Sequence, residues 1–198
     1  MLTLFLDTGS HENLLALCTE KETLATSPLP SHGDMELVPA IERILKESGH
    51  SYQDLTNLAA VLGPGGFTSL RVGIAAINAL SYALDIPSAG IHLSDLWAAR
   101  VLSDHHFLWL HSTRRTQIFI KKCGAHDASI EILSLDEAEK LKGEYIGELI
   151  PEHQTLLTLC RPMGTENIAS LTEILPHLLL SLPYGKKELE PWYGRGKD

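Results

Sequence analysis

Residues 63–73, Gly63-Pro64-Gly65-Gly66-Phe67-Thr68-Ser69-Leu70-Arg71-Val72-Gly73, constrain the fold more than any other stretch of the chain. Four glycines and a proline interrupt apolar sequence where a strand hands over to a helix. Residues 58–62 have the pattern of a buried strand and residues 70–84 that of a helix, which makes a unit of strand, glycine-rich loop and helix. Such a loop can turn amide hydrogens toward an anion, helped by the helix dipole. It can also be a tight packing corner that needs positive φ or a missing Cβ. The spacing matches neither a Walker loop nor a dinucleotide fingerprint, and this favours the packing corner.

Around that unit the pattern is regular. Residues 2–6, 14–18 and 23–27 form three consecutive expected strands, with Gly9 to Asn13 as the first hairpin turn and Asp7 at its mouth. A Pro- and Gly-rich passage leads to a helix over 36–48, stopped by Gly49, with Pro39 confined to its first turn. A strand over 88–91 completes a βββαβαβ order. By fold-level analogy this is the ribonuclease-H-like half shared by sugar kinases, actin and the heat-shock ATPases, an α/β fold of the actin-like (ASKHA) kind. Beyond residue 92 the signals weaken: helices over 94–102, 136–141 and 167–180, and strands near 107–111, 117–122 and 130–133. We therefore expect an N-terminal lobe over 1–92 and a smaller, divergent second lobe and tail over 93–198. Trp192 and Tyr193 are the residues able to dock that tail.

Composition narrows the function classes. With 16 basic and 25 acidic side chains the formal charge is −9, which opposes autonomous binding to a phosphate backbone. No apolar run approaches the roughly 20 residues that span a bilayer, and no leader is evident, so a cytoplasmic protein without a membrane partner is expected. The 3 cysteines, Cys18, Cys123 and Cys160, show no paired spacing. None of the 10 histidines forms an HxxxH or HExxH pair, so no metal site and no peptidase chemistry are expected. No GxSxG elbow marks a nucleophile.

Asp7-Thr8-Gly9-Ser10 is a fair version of a phosphate-gripping turn, with Asp7 as the magnesium-facing acid and Thr8 to Ser10 as amide donors. Catalysis in the kinase and actin superfamily needs a second such turn in the other half. Here the nearest fragment, Gly164-Thr165, lacks the aspartate. The turn is therefore read as vestigial and the catalytic residues as none.

The helix after the loop is apolar nearly all round, with Leu70, Ile74, Ile77 and Leu84 on one side and alanines on the others. Arg71, Asn78 and Tyr82 form a narrow polar stripe flanked by Ala75 and Ala79, small enough for a partner helix to approach. Glu36, Ala40, Arg43 and Glu47 form a companion stripe on the preceding helix, opposite Leu37, Ile41 and Ile44.

The glycine loop resembles the GPGSFTGLRIG signature of the TsaB (YeaZ) family. Nine of eleven positions match in kind, Gly66 replacing the family serine and Ser69 its glycine. Leu4-Phe5-Leu6-Asp7-Thr8 resembles the family's LAIDTS start, His32 to Pro39 its HSxxLLP helix start, and Pro191-Trp192-Tyr193-Gly194-Arg195 its terminal PxYLR. The His32 to Pro39 interval is one residue longer, and Ser112-Thr113-Arg114-Arg115 stands where the family has DARR. The resemblance implies a non-catalytic homologue of TsaD that pairs with it through the two helices. With the ATPase TsaE, the assembly would threonylcarbamoylate adenosine 37 (t6A) in tRNAs reading ANN codons. It further implies a homodimer when alone, indirect contact with tRNA, and no tightly bound cofactor, with ATP or ADP only at a shared interface. The catalytic relatives carry the histidine pair that is missing here. The alternative from another class is a small ATP-binding kinase or ATPase using Asp7 and the Gly63 to Thr68 loop.

Overall fold

A computed structural model describes residues 1–29, 36–102, 105–124 and 128–194, with Arg114 described in its backbone only. Two units emerge, one of Met1–Leu93 with Ser170–Tyr193 and one of Ser94–Ala169 with the chain end. Residues 170–193, which the sequence pattern assigns to the second lobe, thus lie with the first.

The first unit is built on a mixed sheet of strands β1 (Leu2–Asp7), β2 (Leu14–Thr19), β3 (Thr23–Pro28), β4 (Asn57–Gly63) and β5 (Ser88–His92), ordered β3-β2-β1-β4-β5. The first three strands run antiparallel by hairpins, while β4 and β5 join in parallel. Parallel neighbours require crossovers, and helices α1 (Leu37–Glu47) and α2 (Phe67–Leu84) precede β4 and β5 in that role. The central strand β1 is buried at every residue, which explains its unbroken apolar run. Leu4, Leu6, Leu15, Leu17, Ile41, Ile44, Leu45 and Ile77 share one core, each fully buried large aliphatic contributing roughly 1.5–3 kcal/mol. Helix α6 (Leu171–Leu180) lies against β2 and β3, capped by Ser170, whose hydroxyl accepts the Glu173 amide.

Helix α2 is the one helix among the described residues long and apolar enough, at 18 residues, to cross a bilayer by length and composition. Its Leu70, Ile74 and Ile77 are instead buried on the sheet.

The second unit carries β6 (Phe107–Arg114), β7 (Gln117–Cys123), β8 (Glu131–Leu133), β9 (Gly143–Glu148) and β10 (Cys160–Pro162), ordered β10-β9-β6-β7-β8. Its pairing senses are antiparallel for β6 to β8 and parallel for β9 and β10. Strand for strand this repeats the order of the first unit. The abbreviation lies in the helices: α3 (Leu93–Ala98) precedes β6, and the crossovers α4 (Leu135–Ala138) and α5 (Pro151–Leu156) have only 4 and 6 residues. The expected helix over 94–102 ends at Ala98, and the one over 167–180 starts at Leu171 behind a 3-10 turn. Strands β9 and β10 and helix α5 have no counterpart in the sequence reading.

Candidate functional site

In the first unit the Asp7 to Ser10 turn packs against the 63–66 loop, and the segment 185–193 is bonded along α2. Asp7 is 1% exposed. Its Oδ1 accepts the amide hydrogens of Gly9 at 2.8 Å and Ser10 at 3.0 Å, an Asx turn closed on itself. Two of the amides expected to face a phosphate are therefore turned onto Asp7.

Two glycines of the loop are set by close approach. A Cβ on Gly65 would lie 2.6 Å from the Cα of Gly9, so the loop and the turn pack backbone on backbone. Gly63 has φ of +123°, and a Cβ there would lie 2.3 Å from the Trp192 carbonyl oxygen. The packing corner accounts for both. Gly66 differs: it is exposed, is the N-cap of α2, and would meet nothing nearer than the Ser69 hydroxyl at 3.5 Å.

Helix α2 buries one side and leaves the other bare. Phe67, Ala75, Ala79 and Tyr82 are exposed, Tyr82 by 92%. Ala75, Ala79 and Tyr82 line a groove of about 810 Å³ whose far wall is Lys186, Lys187 and Glu188. The polar residues of the predicted stripe do something else. Arg71 lies over the Phe67 ring at 3.8 Å and donates from Nε to the Tyr193 hydroxyl at 3.0 Å. Asn78 donates to the Leu189 carbonyl and accepts from its amide, both at 3.0 Å. Asn78, which also lines the groove, is thus bonded within the chain as well. On α1, Glu36 is the cap residue, Arg43 and Glu47 are exposed, and Ala40 is a buried core residue at 3% exposure. The companion stripe is broken at Ala40, because the side of α1 facing the sheet extends from Leu37 through Ala40 and Ile41 to Ile44 and Leu45. Val38 is exposed by 56% in its place.

Segment 185–193 is what the sequence reading underrated, and its aromatic pair was the signal. Trp192 donates its amide to the Leu62 carbonyl at 2.8 Å and meets His92 edge-on at 5.2 Å, while Tyr193 packs on Phe67 at 5.0 Å. His32 and Arg195 lie outside the described residues.

In the second unit, the β6–β7 hairpin holds the topological place that the Asp7 turn holds in the first. That hairpin carries Ser112, Thr113, Arg114 and Arg115, with neither aspartate nor glycine. Gly164-Thr165, named above as the nearest second turn, instead caps the 3-10 helix after β10. Ser112 is buried and accepts the Ile150 amide at 3.0 Å, and Arg115 accepts a 3.1 Å bond from His153 through its carbonyl. His111, fully buried, stacks on Trp109 and lies 3.5 Å from the Glu148 carboxylate. His105 bonds Glu144 at 2.8 Å just before β6.

Residues 32–151 match the family model described as TsaD, tRNA N6-adenosine threonylcarbamoyltransferase. The chain is 28% identical over 125 residues to the Bacillus subtilis tRNA threonylcarbamoyladenosine biosynthesis protein TsaB, covering 60% of this chain and 53% of that protein. It is 32% identical over 92 residues to Escherichia coli TsaB, covering 46% and 40%. It therefore spans about half the length of the known relatives it matches. In structure it resembles YeaZ from Pseudomonas aeruginosa with a TM-score of 0.70 at 16% identity, over 97% of this chain and 99% of that one, a likeness of fold. The two mixed five-stranded sheets fit an actin-like α/β fold, and the chain belongs to the TsaD family, among its TsaB/YeaZ members.

Proposed function

We propose that this chain serves t6A biosynthesis as a non-catalytic subunit, pairing with a TsaD-like homologue through the bare side of α2. The observation that carries this reading is the row Ala75, Ala79 and Tyr82, exposed on a helix that buries Leu70, Gly73, Ile74 and Ile77 on its other side. Such a face favours cover by another element, and small residues let a second helix approach closely. Kinship with TsaD and TsaB supports a TsaD-like homologue as that cover.

Two features support a non-catalytic role. The Asp7 turn spends its amides on its own aspartate. The hairpin in the matching place of the other sheet has the wrong residues for a second grip. The same features weigh against the kinase or ATPase alternative. On this reading nucleotide is held only where subunits share it, a TsaE-like ATPase joins the working assembly, and the chain alone forms a homodimer. The net charge of −9 supports contact with tRNA through the partner rather than directly. The protein would act in the cytoplasm.

Co-purification and calorimetry with the TsaD-like homologue from the same genome test this. Ala79→Trp should weaken pairing roughly 5- to 150-fold, since filling a close helix contact costs about 1–3 kcal/mol. Unchanged affinity would remove α2 from the interface. Micromolar binding of magnesium-ATP by the isolated chain, lost in Asp7→Ala, would favour the kinase reading instead.

A further inference from the structure

Arg71, Asn78 and Asp85 stand seven residues apart on and at the end of α2, which places them along one side of the helix over about 21 Å. Each is tied to a different residue of the segment 185–193. Arg71 donates to Tyr193, Asn78 pairs with both backbone groups of Leu189, and Asp85 takes an ion pair from Lys186. The order of partners is reversed, so the segment runs antiparallel to α2. Its start is fixed to the sheet edge, where Ser88 and Gly185 exchange two backbone bonds at 2.8 and 3.0 Å. Its end is fixed under the glycine loop, with Trp192 on Leu62 and Gly63.

Arg71 and Asn78 on α2, and Asp85 at its end, are therefore satisfied within the chain. The groove beside it is bounded by Ala75, Ala79 and Tyr82 on one wall and by Lys186, Lys187 and Glu188 on the other. We propose that residues 185–193 are a latch, held at its middle by Asn78, which builds the second wall of the surface where α2 receives its partner helix. Asn78 is then a positioning residue that acts through the segment. This deepens the reading given above and rests on it for the identity of the partner. What makes the occupant a helix is the continuity of the groove with the small-residue side of α2. What orients it is Lys187, an exposed cation without an ion-pair partner among the described residues, which calls for a carboxylate on that helix.

Hydrogen exchange on the isolated full chain gives one arm of the test and affinity for the TsaD-like homologue the other. Asn78→Ala removes two bonds to Leu189. It should lower protection of the Leu189 and Trp192 amides at least about tenfold, leaving β1 and β4 protected. The same variant should lose about tenfold or more in pairing affinity. Leu189→Pro deletes the amide donor while keeping Asn78, and should cost a comparable amount. Combined with Asn78→Ala it should cost little more, because both break one latch. Additive losses would make Asn78 a direct partner contact and overturn the proposal, as would unchanged exchange at Leu189 or unchanged pairing. Tyr82→Ala serves as control, expected to weaken pairing without altering exchange at Leu189. If the wild-type chain fails to pair at all, the functional reading fails, while the exchange arm still decides whether the latch exists.

Discussion

At the scale of single residues, neighbouring glycines of one loop have opposite tolerances. Gly65 faces the backbone of Gly9 across a gap that leaves no room for a methyl group. Gly65→Ala should cost about 3 kcal/mol, near the upper end for overpacking, because backbone rather than a flexible side chain must yield. Gly66 opens on solvent with φ of −62° and ψ of 129° at the N-cap of α2. Gly66→Ser should stabilise by a few tenths of a kcal/mol through a cap the helix now lacks. Urea unfolding of the two variants checks both, and equal effects would refute the packing assignment. Tyr184 gives a pH signature to the same unit. Burial first, with the charge of Cys18 adding, pushes its phenol up to about 12, while Thr3 pulls the other way. An unfolded tyrosine ionises near 10, so the stability held by the neutral phenol is intact below pH 10 and is lost as pH climbs toward about 12. Melting temperatures of wild type and Tyr184→Phe should run parallel up to about pH 9.5, wild type then falling faster. Parallel curves through pH 11.5 would show that the phenol ionises freely in the fold.

Elements differ in how openly the sequence declares them, and the difference follows packing. β1, β2 and β4 are largely buried, mostly apolar runs flanked by turn residues, and α1 and α2 carry a helical period of aliphatics, so all five were legible within one to three residues. β9 was not. Gly143-Glu144-Tyr145-Ile146-Gly147-Glu148 is two-thirds charged or glycine and shows no clean alternation, yet it is the parallel neighbour of β6. Its identity is imposed from outside: long-range pairing, which local propensity does not encode, outweighs a poor strand sequence. The candidate site divides the same way. The bare row Ala75, Ala79 and Tyr82 could be read from helical spacing alone. The commitment of Asn78 to Leu189 could not, because the two are 111 positions apart. A polar stripe on an apolar helix tells of a partner without telling whether that partner is another chain or the end of its own.

For the molecule as a whole, the consequence is that the first unit is closed by sequence from far downstream. Leu175 and Leu179 of α6 are fully buried, and Thr23 on β3 donates to the Thr172 carbonyl at 2.8 Å. A boundary drawn at residue 92 from the pattern of expected elements would leave β2 and β3 without α6, and α2 without residues 185–193. A fragment of residues 1–93 should therefore fail to reach the fold of the first unit, since the two leucines alone withhold roughly 3–6 kcal/mol of burial, comparable with the total stability of a small domain. It should bind a hydrophobic dye and give poorly dispersed amide resonances. A peptide of residues 170–194 should restore dispersion when added, because the missing pieces are a capped helix and a strap that pair by side-chain and edge contacts rather than by threading. If the fragment alone is cooperative and dye-free, the sheet of five strands with α1 and α2 is self-sufficient, and the returning segment serves the partner surface only.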